Sequence, residues 1–121
     1  MIERRTQLYW EGASKKDFKK FPVPVQKDMG VALYVVQLGG MPDAAKSWKG
    51  LGPGVYELVE DHFGDTFRAV YTLRIRGSIH VLHAFQKKSK SGIATPQPDV
   101  ELIEKRLKTV LARYGVSGRM R

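Results

Sequence analysis

Thr66-Phe-Arg-Ala-Val-Tyr-Thr-Leu-Arg-Ile-Arg-Gly-Ser-Ile-His-Val-Leu-His-Ala-Phe-Gln-Lys-Lys-Ser-Lys90 reads as two β-strands joined at Arg76-Gly77-Ser78. In the first, Phe67, Ala69, Tyr71, Leu73 and Ile75 fall on one face, and Arg68, Val70, Thr72, Arg74 and Arg76 on the other. Successive strand side chains point to opposite faces, so the first set is expected in the core. The second strand, Ile79 to Gln86, is apolar on both faces, with Val81 and Phe85 on one and Leu82 and Ala84 on the other. A strand of that kind is expected to be central and buried. Lys87-Lys-Ser-Lys-Ser-Gly92 then reads as a basic exit loop. Arginines along one face and lysines at the exit, without compensating carboxylates, suit an anionic partner.

Working outward, Leu8-Tyr9-Trp10 is a short strand ended by Glu11-Gly12. Ser14-Lys-Lys-Asp17 has the form of a capping box and starts a short helix. Pro22 and Pro24 break that helix after Phe21. Val25, Met29, Ala32, Leu33 and Val36 recur at helical spacing, and Gly39-Gly40 ends this second helix. Residues 41–54 read as irregular. Their glycines do not make a phosphate loop, since a strand-like Val55-Tyr-Glu-Leu-Val59 follows them instead of a helix. Asp61 to Asp65 is the next hairpin connection. Thr95-Pro96-Gln-Pro98 opens a last helix with the stripe Val100, Ile103, Leu107, Val110, Leu111 and Tyr114, closed by Gly115. The expected order is β-α-α-β-β-β-α. This is an α+β domain with helices packed on a small, mainly antiparallel sheet, spanning 1–121 with an ordered core of about residues 8–114.

The chain is long enough for one domain with a real core. Its formal charge of +9 favours polyanionic partners. It has no cysteine, so disulfides and thiolate zinc sites are excluded. No apolar run approaches a membrane span, and no long apolar signal region opens the chain, so a soluble, cytoplasmic protein is expected. The three histidines have no metal-ligand spacing, and neither a metal nor a cofactor is expected.

Trp48-Lys49 with Leu51, Val55-Tyr-Glu-Leu58, Phe67-Arg-Ala-Val-Tyr71 and Leu82-His-Ala-Phe-Gln-Lys-Lys-Ser89, in that order, resemble the RelE/ParE toxin superfamily. The resemblance is to its HigB/Tad-like, phage-derived branch and runs from about Leu8 to Tyr114. It implies the toxin of a type II toxin–antitoxin pair. RelE and HigB relatives are ribosome-dependent mRNA endonucleases (mRNA interferases) that inhibit translation. ParE relatives instead inhibit DNA gyrase without cutting RNA. Both are silenced by a cognate antitoxin, in this branch commonly a helix-turn-helix protein. An inactive homologue that only binds its antitoxin is the third possibility.

Ribosome-dependent cleavage is attack of a 2′-hydroxyl on the adjacent phosphate. It needs a base, cations around the five-coordinate phosphorus, and an acid for the leaving oxygen. Arg68 matches the strand arginine that clamps phosphate in RelE-type enzymes, and Lys88, with Lys87 beside it, matches the cation at the exit of their last strand. The chain departs from the pattern on its second strand, where Glu57 and Val59 replace lysines, and it has no tyrosine between Lys88 and Thr95. Glu57 is then a candidate carboxylate base, with Lys46 and Lys49 as replacement cations. His83 is a candidate proton shuttle, because imidazole exchanges protons near neutrality. Lys46, Lys49, Arg74, Arg76 and Lys90 are candidate contacts to RNA or ribosome.

Each candidate also has a structural reading. Glu57 can pair with Arg68 across neighbouring strands. His83, in phase with Val81 and Phe85, can be a satisfied core histidine, with His62 and His80 at the surface. Arg74 and Arg76 can be solvated edge charges that deter aggregation. Tyr71, Trp48 and Trp10 read as core, and the Lys105-Arg106-Leu-Lys108 face can meet an acidic antitoxin segment.

Overall fold

The protein is described here by a computed structural model covering residues 5–88 and 95–115, with only the backbone of Lys88. Its elements are β1 (Gln7–Trp10), α1 (Ser14–Phe18), α2 (Val23–Gln37), β2 (Ala45–Ser47), β3 (Val55–His62), β4 (Asp65–Thr72), β5 (Ser78–Lys88) and α3 (Gln97–Arg113). One five-stranded sheet runs in the order β1-β5-β4-β3-β2. Only the β1–β5 pair is parallel. The expected α+β architecture is therefore present, with one strand more than the sequence pattern suggested.

That strand is β2, inside the segment read as irregular. It is three residues long, too short to show alternation, and its glycine-rich sequel masks it. Its register sets Lys46 opposite Glu57.

Both hairpins turn on pairs of residues with positive φ. Phe63 and Gly64 have φ of 49° and 86°, and Arg76 and Gly77 have 48° and 83°. Two consecutive left-handed residues match the right-handed twist of the flanking strands, as in type I′ turns. The second turn is the predicted junction, closed by mutual hydrogen bonds between Ile75 and Ser78.

α2 begins just after Pro22 and carries Pro24 in its first turn, where no intrahelical N–H is needed. It ends in a Schellman motif: Gly39 N–H donates to Val36 O, Gly40 N–H to Val35 O, and Gly39 takes a φ of 91°. The capping box predicted for α1 does not form. Ser14 lies inside the helix, fully buried, and its hydroxyl donates to Val81 O at 3.2 Å. The buried hydroxyl shares the Val81 carbonyl with the Glu11 N–H, and a buried hydroxyl gains more from such a bond than at an exposed helix end.

The sheet is covered on both faces. α1, α2 and the turn between them pack Phe18, Phe21, Met29, Leu33 and Val36 against Leu58, Phe67, Ala69, Tyr71, Val81 and Ala84. α3 packs Ile103, Leu107, Val110 and Leu111 against Trp48, Val55, Val70, Leu82 and Phe85. Interior β5 has apolar side chains on both faces, as predicted, but its phase differs. A bulge shifts the β4–β5 register, so that Val70 faces His83 while Tyr71 faces Val81. The extra residue, Leu82, turns to the α3 side together with Phe85, while Val81 and Ala84 face α2. Period-two counting cannot see an inserted residue.

Two further boundaries move. β4 stops at Thr72, and Ile75 joins the α3 cluster instead of sharing a face with Phe67 and Tyr71. Lys87 and Lys88, read as an exit loop, continue β5, because Thr66 and Asp65 on β4 offer them backbone partners.

Candidate functional site

The β2–β3–β4 ladder assembles the site. Trp48 N–H donates to Val55 O at 2.9 Å, which carries the β2–β3 pairing past Ser47 and seats Trp48 in the α3-side core. Lys46 then stands directly across from Glu57. Glu57 faces Val70 on the next strand, and Arg68 lies diagonal to it, two residues along the same face. Arg68 Nη1 donates to Glu57 Oε1 at 2.5 Å, with the two side chains only 20% and 12% exposed. Charge-assisted bonds of this kind are short and hold a guanidinium in one orientation. The cross-strand pairing foreseen for Glu57 is thus present.

Beside this pair opens a cleft of about 740 Å³ between β2 and the start of α3. Lys46, Lys49, Trp48 and Glu57 line one side, Gln97 and Val100 the other. The two lysines are exposed, and neither has an ion-pair partner among the described residues. Lys87 shares the face through Phe85, which is paired with Arg68. The structure therefore brings together Lys46, Lys49, Glu57 and Arg68, with Lys87 on the same face. The Lys88 side chain and Lys90 lie outside the described atoms.

Other candidates lie elsewhere. Arg74 does not share the Arg68 face. It lines a groove against α2 with Gly39, Gly40 and Met41, and Arg76 sits in the turn at the far end of the hairpin. The strand had already ended, so alternation no longer fixed their direction. His83 is buried: Nε2 lies 2.7 Å from Asp99 Oδ1, and its ring stacks on Phe85 at 5.0 Å. This is the satisfied core histidine, held by the first turn of α3. The bulge puts it on the α3 face. Arg106, read as part of an outward basic face, instead turns inward and donates to Leu82 O at 2.8 Å. Lys105 and Lys108 remain exposed.

His80 was expected at the surface and is 1% exposed. Its Nδ1 lies 2.7 Å from Glu11 Oε2 and its Nε2 3.0 Å from the Tyr114 hydroxyl. Arg113 donates to both Glu11 oxygens, at 3.2 and 3.1 Å. Burial by itself would raise the Glu11 carboxyl, but the bonds from Arg113 and His80 outweigh it and hold it below 4.5. This network clamps the end of α3 to the β1–β5 edge. No local pattern links residues so far apart in sequence, which is why reading the chain missed it. Among the described residues no group of three histidine, aspartate or glutamate side chains could hold a metal. No helix there is long and apolar enough to cross a membrane.

No curated protein sequence matches the chain. Among solved structures, a doubly substituted form of the E. coli toxin RelE in the free state aligns with a TM-score of 0.58 and 17% identity, covering 88% of this chain and 99% of that one. The toxin–antitoxin complex RelBE2 from Mycobacterium tuberculosis aligns at a TM-score of 0.46 and 13% identity, covering 73% of this chain and 98% of that one. The family model of the phage-derived Gp49-like proteins (DUF891) matches residues 16–108. With most of its length inside that model, the chain belongs to the phage-derived Gp49-like family, and it carries the RelE-like toxin fold.

Proposed function

We propose that the protein is the toxin of a toxin–antitoxin pair and that it cuts mRNA on the ribosome. The observation that carries this reading is the Arg68–Glu57 pair beside the Lys46–Lys49 cleft. Around one space it sets a carboxylate and two ammonium groups that have no ion-pair partner among the described residues, and it holds a guanidinium behind the carboxylate. The RelE fold and the motif order of the sequence support it.

In this reading the 2′-oxygen attacks the adjacent phosphorus and the bond to the 5′-oxygen breaks. The leaving 5′-oxygen takes its proton from solvent, and the products are a 2′,3′-cyclic phosphate and a 5′-hydroxyl end. Glu57 Oε1 is engaged by Arg68, and Oε2 takes the 2′-hydroxyl proton. Arg68 spends one arm of its fork on Glu57, and its charge stabilises the phosphorane. Lys46 and Lys49 hold flanking phosphates, with Lys87 and Lys88 at the strand end as further cations. His83, tied to Asp99 and covered by α3, positions that helix and moves no proton. The natural silencer is a cognate antitoxin, and the site of action is the cytoplasm.

Inducing the gene in a host and mapping mRNA 5′ ends tests the reading. Wild type gives new ends in phase with codons. Arg68→Ala and Glu57→Gln, checked for folding by circular dichroism, give none. The rival is a ParE-like inhibitor of DNA gyrase, which the absence of lysines at Glu57 and Val59 favours. Growth arrest without new ends, together with lost supercoiling activity of gyrase, selects it. No growth effect at all points to an inactive antitoxin-binding homologue.

A further inference from the structure

The cleft is larger than the Arg68–Glu57 pair needs, and its far wall comes from α3. At about 740 Å³ it falls within the range of roughly 300–1,000 Å³ typical of small-ligand sites. Its surface is graded. Trp48 and Val100 give an apolar floor continuous with the α3-side core. Lys46 and Lys49 are the cations at the rim. Gln97 and Thr95 supply polar groups at the start of α3. Gln97 is exposed, and among the described residues its amide makes only a long 3.5 Å contact with Glu101 in its own helix. The only carboxylate lining the cleft among the described residues, Glu57, is already bonded to Arg68. A ligand that fits has a flat apolar body, a hydrogen-bonding edge and a negative charge at one end.

We propose that this cleft is a single-nucleotide subsite, with the base against Trp48 and Val100, its edge read by Gln97, and its phosphate on Lys46 and Lys49. A glutamine amide offers one donor and one acceptor side by side. That pattern matches the amino group and ring nitrogen of adenine. The subsite therefore prefers adenine. The inference rests on the nucleic-acid reading of the same face, and it adds a determinant of where the chain is cut.

The test uses the full chain with Trp10→Phe, which leaves Trp48 as the only tryptophan. AMP, GMP, CMP, UMP and inorganic phosphate are titrated separately while Trp48 fluorescence is read. The expected result is saturable quenching, tightest for AMP by at least about fivefold, the low end of what one bidentate base contact discriminates. Lys46→Ala with Lys49→Ala abolishes it. Gln97→Ala, an exposed change that leaves the fold intact, keeps binding but levels the four nucleotides. Equal response to inorganic phosphate, no saturable quenching, or an unchanged order in Gln97→Ala overturns the proposal. The two readings fail separately. Mapped mRNA ends whose flanking base is the same in Gln97→Ala remove the subsite and leave the nuclease. AMP preference without any mRNA ends does the reverse.

Discussion

The two faces of the sheet are built differently. The α1–α2 side is an aliphatic and aromatic cluster. The α3 side has a similar apolar floor, but ionisable pairs interrupt it: Arg68–Glu57, His83–Asp99 and the Glu11 network at its end. A buried or half-buried ion pair contributes little net stability, because desolvation offsets its attraction. The α3 face therefore carries polar groups where apolar ones would serve packing as well, although the Glu11 network also clamps α3 in place. That is the pattern expected where chemistry or binding is imposed on a scaffold.

Breaking the comparison starts with the apolar face. Met29 is fully buried there, and Met29→Ala is expected to cost about 2–5 kcal/mol of stability. Urea denaturation measures this. The cleft below α3 keeps its lining, so activity of the folded fraction should be unchanged.

Next comes Gly12, where β1 meets α3. It has a φ of 53°, and an added Cβ would lie 2.8 Å from the Arg106 guanidinium. Gly12→Ala is expected to cost about 1–3 kcal/mol, combining backbone strain with that contact. Pairing it with Arg106→Ala should recover the steric part only, read from a double-mutant cycle.

The two faces also part in their pH dependence. Glu11 is held below its ordinary 4.5 by Arg113 and His80 against the opposing effect of burial. Its contribution is present above 4.5 and is lost as pH falls through the lowered folded value. Glu11→Gln should flatten that acid limb of the stability curve. The α2 side responds at the alkaline end. Burial, with Tyr56 nearby, pushes the Tyr71 phenol from 10.0 up to about 12. That contribution is complete below pH 10 and disappears as pH rises through about 12. The Tyr71 hydroxyl is buried without a hydrogen-bond partner among the described residues. Tyr71→Phe should therefore cost almost nothing at neutral pH and abolish the alkaline effect. A large loss at pH 7 would show that the hydroxyl is bonded.

How far the sequence disclosed these faces depends on the range of the signal. Local periodicity located α2, α3, β4 and the interior place of β5, because each buries a regular stripe. Paired cations and a carboxylate near Arg68 were also legible, since Glu57 and Arg68 lie on adjacent strands of one hairpin. Three things were hidden for physical reasons. The Leu82 bulge reverses which residues share a face, and no residue type announces it. β2 is too short for a pattern, yet it decides that Lys46 faces Glu57. Gln97 and Val100 reach the cleft only because α3 folds back over the sheet, a contact between distant segments.

The central claim is that the charged face cuts RNA, and mapping mRNA 5′ ends after induction tests it most directly. The account predicts new, codon-phased ends with wild type, and none with folded Arg68→Ala. Growth arrest without new ends, or the same ends from Arg68→Ala, would contradict it.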